Sequence, residues 1–143
     1  MAGRVVLIED EANIAEAIRF LLSREGWQVD VHEDGSTALS VIEAAAPDLV
    51  ILDLMLPGKS GMEIIRDIRE IEALSHLPVL MLTARGQLKD REMAEKAGVT
   101  RFMTKPFSNT EVLAAVRDLN AQARQARDPE AGSAPVTSVS DVG

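Results

Sequence analysis

A carboxylate ends a continuously apolar segment near the middle of the chain. Asp53 follows four aliphatic residues, 49–52, a run that is typical of a strand buried on both faces of a parallel sheet. Proline and glycine within residues 57–61 break the backbone and delay the next helix to about Ser60. A helix cap bonds only the next two or three backbone N–H groups, so a capping role for Asp53 is disfavoured. The spacing favours Asp53 as a reactive group at the carboxyl end of a strand.

Four further polar residues also follow predicted strands. Glu9 and Asp10 follow the first strand, Thr83 the fourth and Lys105 the fifth. Parallel strands place their carboxyl ends at one edge of a sheet, so we expect these side chains to meet Asp53 there. Taken singly, Asp10 and Thr83 could be helix caps and Lys105 a solvated surface charge. Their joint placement indicates a site.

The chemistry of this set follows from its charges. Three carboxylates at one edge repel one another and raise each other's proton affinity, and a divalent cation relieves that repulsion. Oxygen ligands without histidine or cysteine select a hard ion, and Mg²⁺ also binds phosphate oxygens. Lys105 adds a positive charge and Thr83 a hydroxyl donor, which are the groups that a phosphoryl group arriving at a carboxylate requires.

Strand-like and helix-like segments alternate five times along the chain. The predicted strands are 4–8, 28–32, 49–52, 78–82 and 101–104, and helices follow them up to about residue 126. Repeated strand–helix units need right-handed crossovers, which predicts a doubly wound parallel α/β sheet with helices on both faces. The alternating pattern of 28–32 predicts an edge strand. A Ser108-x-x-Glu111 capping box begins the final helix.

Composition limits the class of protein. The 143 residues, 46% of them apolar, suit one domain, which we place at residues 1–126 with a flexible tail at 127–143. The absence of cysteine excludes a disulfide framework or a cysteine-based zinc site. No segment resembles a signal peptide or is long enough to span a membrane, so we expect a cytoplasmic protein. The net charge of −8 disfavours sequence-independent nucleic-acid binding.

The fourth helix, 88–97, is weakly amphipathic. Its predicted buried face is Met93, Ala94 and Ala97, and so little buried area makes this helix the likeliest to move. Five basic residues of this region are predicted to form one surface: Arg85, Lys89, Arg91, Lys96 and Arg101. Ordinary solvated charge is the alternative interpretation of that surface.

The order and spacing of these groups resemble the receiver domain of two-component response regulators, from Arg4 to Ala123. The resemblance is carried by Glu9-Asp10, Asp53 with Pro57 and Gly61, Thr83-Ala84, and Lys105-Pro106-Phe107. Loop lengths are similar to those of the single-domain chemotaxis receiver. The resemblance therefore implies a flavodoxin-like fold with strand order 2-1-3-4-5.

The resemblance also implies roles for individual residues. Asp53 would accept a phosphoryl group from a phosphohistidine on a sensor histidine kinase or a histidine phosphotransfer protein. The chain would then be a phosphoacceptor with slow autodephosphorylation, not a dedicated enzyme. Asp10, Asp53 and the Met55 carbonyl would bind Mg²⁺ directly, and Glu9 would bind it through water. Lys105 would bond the phosphoryl oxygens, and Thr83 and Phe102 would form the switch. The docking surface for the donor would consist of Ile14, Pro106 and Phe107.

Departures from the family pattern bear on output. Glu9 stands where aspartate is commoner, and Phe102 stands where tyrosine is frequent. Residues 99–101 lack the Ala-Asp-Asp of DNA-binding members, so we expect no direct DNA binding. We also expect a monomer. Its downstream target would be an acidic protein that contacts the fourth helix, the fifth strand and the final helix. Two alternatives are a binding module that works without phosphorylation and a haloacid-dehalogenase-type phosphohydrolase. The latter would need an aspartate where Met55 stands.

Overall fold

Five parallel strands and five α-helices alternate along the chain in a computed structural model that describes residues 3–84 and 88–127. The strands are β1 (Arg4–Ile8), β2 (Gln28–His32), β3 (Leu49–Asp53), β4 (Val79–Thr83) and β5 (Arg101–Thr104). The helices are α1 (Ala12–Arg24), α2 (Ala38–Ala45), α3 (Gly61–Glu70), α4 (Leu88–Ala97) and α5 (Asn109–Arg127).

The sheet has the order β2-β1-β3-β4-β5, with every neighbouring pair parallel, which confirms the predicted fold. All five residues of β3 are buried, because helices cover both faces of the central strands. β2 lies at an edge and is only partly buried, as its alternating pattern predicts. Ile8 is opposite Leu52 and Asp53 is opposite Leu82, so the carboxyl ends of the central strands are level.

Two hydrophobic clusters lie on opposite faces of the sheet. One contains Ile64, Ile65 and Ile68 of α3 together with residues of α2 and α4. The other contains Ile18 of α1 and Val116 of α5. This division is the physical form of a doubly wound sheet, since each face of the strands needs its own apolar cover.

Helix α4 is held by little buried surface, as predicted. Ala94 is its one buried residue, while the side chain of Met93 is 41% exposed and Leu88 is 70% exposed. The prediction that Met93 belongs to the buried face is wrong. Met93 is turned about 100° around the helix from Ala94 and contributes to a groove between α3 and α4.

Element ends differ slightly from the sequence predictions. β4 begins at Val79, one residue later than expected, because Pro78 has no N–H to donate to the ladder. Helix α5 continues through Arg127, which is the first residue of the predicted tail at 127–143, and residues 128–143 lie outside the described residues. The capping box at Ser108 and Glu111 is confirmed, since each backbone N–H bonds the other side chain. Within the described ranges, no helix has the length and hydrophobicity to cross a membrane.

Candidate functional site

The carboxyl edge of the sheet brings together the five polar residues singled out in the sequence. Asp53 and Thr83 are the last residues of β3 and β4, and Lys105 follows β5 directly. Glu9 and Asp10 follow β1. Glu9 and Thr83 are fully buried, Asp53 is 3% exposed, and Asp10 faces solvent. Buried carboxylates at the open edge of a parallel sheet are the arrangement expected of a binding or reaction site.

Lys105 is the cation of this site. Its Nζ lies 3.2 Å from Asp53 Oδ2, 3.0 Å from Glu9 Oε1 and 2.9 Å from Glu11 Oε2. Burial alone lowers the pKa of Lys105, but the hydrogen bonds to Glu11 and Glu9 and the charge of Asp53 outweigh it and leave the pKa above its usual value. Lys105 therefore carries its positive charge at neutral pH.

Glu9 is an unusual carboxylate because it is completely buried. Its Oε2 accepts a hydrogen bond from the Glu11 N–H at 3.1 Å, whereas its Oε1 has no well-aligned hydrogen bond among the described residues despite the nearby lysine. Burial raises the pKa of Glu9 to about 7, and Asp53 adds to this effect while Glu11 and Lys105 oppose it. The site thus holds one acid that gains or loses its proton near neutral pH.

The acidic residues fit a hard divalent cation. Glu9, Asp10 and Asp53 each offer one carboxylate oxygen, and these oxygens lie within 4.8 Å of one another. All the donors are oxygens, and Glu9 Oε1 is a buried acceptor that still needs a partner. Both observations suit Mg²⁺ better than a softer metal. Met55, whose carbonyl is the remaining predicted ligand, lies in the loop beside Asp53 and donates its N–H to Asp53 Oδ1 at 3.2 Å.

Gly61 fixes the loop that follows Asp53. A Cβ atom at this position would lie 2.3 Å from the Asp53 carbonyl oxygen and 2.9 Å from the Cα of Leu54. The Gly61 N–H instead donates to the Leu54 carbonyl at 2.9 Å, so the start of α3 packs directly on the end of β3. A capping box between Ser60 and Glu63 begins the helix. The Ser-x-x-Glu pattern in the sequence could have revealed that cap.

The turn that follows β2 contacts the loop that follows Asp53. The Gly35 N–H donates to the Pro57 carbonyl at 2.9 Å, and a Cβ atom at Gly35 would lie 1.9 Å from the Lys59 carbonyl oxygen. Gly58 has φ +83°, a conformation that favours glycine. The turn after β2 therefore holds the loop after Asp53 in place. No local pattern in the sequence signals this contact.

Comparison with known proteins decides the family. The family model described as the response regulator receiver domain matches residues 5–117. The chain belongs to this family. A putative response regulator from Chloroflexus aurantiacus is 29% identical, with 85% of this chain and 99% of that chain covered and a TM-score of 0.80.

Two further solved structures are similar to this chain. The chemotaxis response regulator CheY4 of Vibrio cholerae is 24% identical over 83% of this chain and 99% of that chain, with a TM-score of 0.79, and shows the same fold. NtrX from Brucella abortus is 26% identical over 97% of this chain but 32% of its own length, with a TM-score of 0.83. The receiver fold thus occurs both as a whole chain and as part of a longer one.

Receiver domains are signalling switches of two-component systems. They obtain phosphoryl groups from histidine kinases, bind Mg²⁺ at an acidic site and relay the signal to targets. They also dephosphorylate themselves. The acidic pocket formed by Glu9, Asp10 and Asp53 is consistent with Mg²⁺ binding and aspartyl phosphorylation in this receiver.

The predicted switch residues of the receiver lie on adjacent strands. Thr83 is buried opposite Thr104, and Phe102 is partly buried opposite Met81. The guanidinium carbon of Arg91 lies 5.5 Å from the centroid of the Phe102 ring, which is within the range of a cation–π interaction. Phe102 is therefore held from the solvent side by α4.

The predicted docking residues lie on the α1 and α5 side of the site. Ile14 and Phe107 are partly buried against the hydrophobic cluster on that face, and Pro106 is exposed. Ile14 is partly buried, in keeping with its place at the end of the apolar stripe of α1.

Cations of the predicted basic surface line two different grooves. Arg91 and Arg101 line a groove of about 450 Å³ beside Phe102, where Arg101 also pairs with Asp118 at 3.1 Å. Lys96 lies in the groove between α3 and α4 together with Arg66 and Arg69. Positions 91 and 96 are separated by about 140° around a helix, so the two cations lie on different sides of α4. Arg85 lies outside the described residues.

We expect the buried Glu9 to make the metal-free receiver less stable as the pH rises. Its folded pKa of about 7 exceeds the unfolded value of 4.5, so its contribution is full below pH 4.5 and is lost as the pH passes 7. Glu9→Gln removes this dependence. The free energy of unfolding of Glu9→Gln minus that of wild type should therefore increase by about 1–3 kcal/mol between about pH 5 and about pH 8.

Urea denaturation of both proteins without Mg²⁺ measures this difference. Glu16→Gln is the control, because Glu16 is exposed and its pKa is lowered by Arg19 rather than raised, so its difference from wild type should stay constant over the same range. A difference for Glu9→Gln that does not change with pH would show that Glu9 is ionised throughout.

Proposed function

We propose that this receiver is a phosphorylation-dependent switch in which Asp53 accepts a phosphoryl group from a phosphohistidine, with Mg²⁺ as cofactor. The arrangement around Asp53 supports this proposal. Asp53 is 3% exposed at the end of the central strand, and Lys105 Nζ lies 3.2 Å from one of its oxygens. Carboxylate oxygens of Glu9, Asp10 and Asp53 lie within 4.8 Å of one another. The donor is a sensor histidine kinase or a histidine phosphotransfer protein.

The reaction is a displacement at phosphorus. A carboxylate oxygen of Asp53 forms the new O–P bond, the N–P bond to the donor imidazole breaks, and the electron pair of that bond stays on the imidazole nitrogen. The Met55 N–H orients Asp53 through its Oδ1. Lys105 donates a hydrogen bond to the phosphoryl oxygens, and the hydroxyl of Thr83 donates a further one. Bound Mg²⁺ supplies positive charge for the phosphoryl and carboxylate oxygens.

Acetyl phosphate with Mg²⁺ should phosphorylate the wild-type receiver, because the stabilising charges belong to the receiver and not to the donor. Asp53→Asn should abolish the reaction, since an amide oxygen is not a competent nucleophile here. Intact-mass measurement detects the added phosphoryl group. A full equivalent of acid-stable, base-labile phosphate on the Asp53→Asn protein would refute the assignment. A wild-type protein that is never labelled would favour a binding module that works without phosphorylation.

We also propose that the phosphodonor docks at Ile14, Pro106 and Phe107, beside the site. Ile14→Asp should slow transfer from the donor protein by about tenfold or more, because it buries a charge in an apolar contact, while acetyl phosphate labelling stays unchanged. Parallel time courses with the two donors measure this. Ala17→Asp, on an exposed position of the same helix, is the matched control. Equal loss of both reactions in Ile14→Asp would indicate a folding defect instead of a docking role.

We propose that the receiver transmits its signal to a target through the surface formed by α4, β5 and α5. Helix α4 has a single buried residue, so the arrival of a phosphoryl group near Thr83 can shift it at small cost. Inward movement of Phe102 would release Arg91, which now lies over its ring. Arg91 and Arg101 are exposed and line the groove beside Phe102, which favours an acidic protein as the downstream target. That the receiver is a monomer and stays monomeric on phosphorylation remains a prediction.

A further inference from the structure

Three carboxylates surround the ammonium group of Lys105. Its Nζ donates hydrogen bonds to Glu11 Oε2 at 2.9 Å and to Asp53 Oδ2 at 3.2 Å, and Glu9 Oε1 lies 3.0 Å away without a well-aligned hydrogen bond. The side chain of Lys105 is 10% exposed, so water offers little alternative. A phosphoryl oxygen that approaches Lys105 must therefore compete with these carboxylates for it.

The structure distinguishes the three. Glu9 is completely buried and its other oxygen is bonded by the Glu11 N–H. Asp53 is the proposed acceptor and its other oxygen is bonded by the Met55 N–H. The side chain of Glu11 is 59% exposed, and its contact with Lys105 is the shortest of the three. Glu11 is thus the carboxylate that can leave into solvent.

Glu11 also makes no capping bond. It occupies the N-cap position of α1, where a polar side chain commonly accepts a hydrogen bond from the first turn, yet its side chain makes none to the helix. Its carboxylate reaches instead to Lys105 across 94 positions of the sequence. Neither the metal cluster nor the proposed transfer step uses Glu11.

We propose that Glu11 is a positioning residue that competes with the phosphoryl group for Lys105 and thereby slows phosphorylation of Asp53. The inference rests on the proposed function and adds to it a residue that limits the reaction. The exposure of Glu11 keeps its hold on Lys105 weak, so Glu11→Gln should raise the second-order rate constant for labelling by about two- to fivefold.

Glu11→Asp separates the contact from the charge. Aspartate keeps the negative charge near the site, but its shorter side chain withdraws from Lys105 and is a preferred N-cap that can bond the first turn of α1. If the contact with Lys105 matters, Glu11→Asp is accelerated like Glu11→Gln. If only repulsion of the anionic donor matters, Glu11→Asp behaves like wild type.

The experiment measures labelling by acetyl phosphate at saturating Mg²⁺, determined separately for each variant because Glu11 adjoins a proposed metal ligand. Glu16→Gln removes an exposed carboxylate of the same helix and is the control. Each Glu11 variant is also made in a Lys105→Met background, where a residue that acts through Lys105 has nothing left to act on. Thermal melts confirm that the variants are folded.

The expected result is acceleration by both Glu11 variants, no change for Glu16→Gln, and an effect below about 1.5-fold in the Lys105→Met background. Labelling of Glu11→Gln at or below the wild-type rate would overturn the inference. An equal acceleration with and without Lys105 would also overturn it. In both cases wild type is still labelled, so the proposed function stands; a wild-type protein that is never labelled removes the proposed function and the inference with it.

Discussion

Lys105→Met is expected to slow phosphorylation of Asp53 about a hundredfold or more, because it removes the cation that stabilises the charge developing on the phosphoryl oxygens. Methionine has a similar length and fills the same mostly buried space, so the loss reports on charge and not on packing. Time courses with acetyl phosphate at saturating Mg²⁺, followed by intact mass, give the two rate constants.

Lys59→Met is the matched control. Lys59 also pairs with a carboxylate, that of Asp67, and lies in the loop that leads from β3 to α3, but it is not part of the site. Its substitution should leave the labelling rate within about twofold of wild type, as expected of a partly exposed ion pair. If Lys105→Met is labelled as fast as Lys59→Met, then the positive charge beside Asp53 is structural and does not assist transfer.

Gly61→Ala is expected to disturb both stability and function. The added methyl would lie 2.3 Å from the Asp53 carbonyl oxygen, a backbone atom that cannot rotate away. The start of α3 must then move from the end of β3, which we expect to cost about 1–3 kcal/mol of folding free energy. Because the same loop carries Met55 beside Asp53, labelling by acetyl phosphate should also fall.

Urea denaturation and labelling of the same preparation measure the two effects of Gly61→Ala together. Glu70→Ala, on an exposed position of the same helix, is the control and should change the free energy of unfolding by less than about 0.5 kcal/mol. A Gly61→Ala protein with wild-type stability would mean that the backbone approach at this point is looser than the structure shows. Normal stability with lost labelling would instead point to an effect on the loop alone.

Much of the fold could be predicted because its signals are local. Residues 49–52 are continuously apolar and form a strand buried on both faces, while the alternating residues 28–32 form the edge strand. The strand order came from the resemblance, since alternating elements alone do not fix which strands are neighbours. The placement of Glu9, Asp53 and Lys105 at one edge followed from the parallel sheet, because the direction of each strand decides where its last residue lies.

Other features depended on contacts between distant segments, and no local pattern reports these. Gly35 and Lys59 meet through their backbones, and Glu11 reaches Lys105, without any signature at either position. The error at Met93 has a similar origin. A short helix with few large apolar residues has no strong preference for the face it buries, so the packing of α3 decides it.

The location of the phosphoryl group tests the central proposal most directly. Wild-type protein treated with acetyl phosphate and Mg²⁺ is reduced with borohydride, which converts an acyl phosphate to an alcohol, and is then digested and analysed by mass spectrometry. We expect Asp53 alone to be converted to homoserine, and only when Mg²⁺ is present. Conversion at Asp10 or at another carboxylate, with Asp53 unmodified, would contradict it.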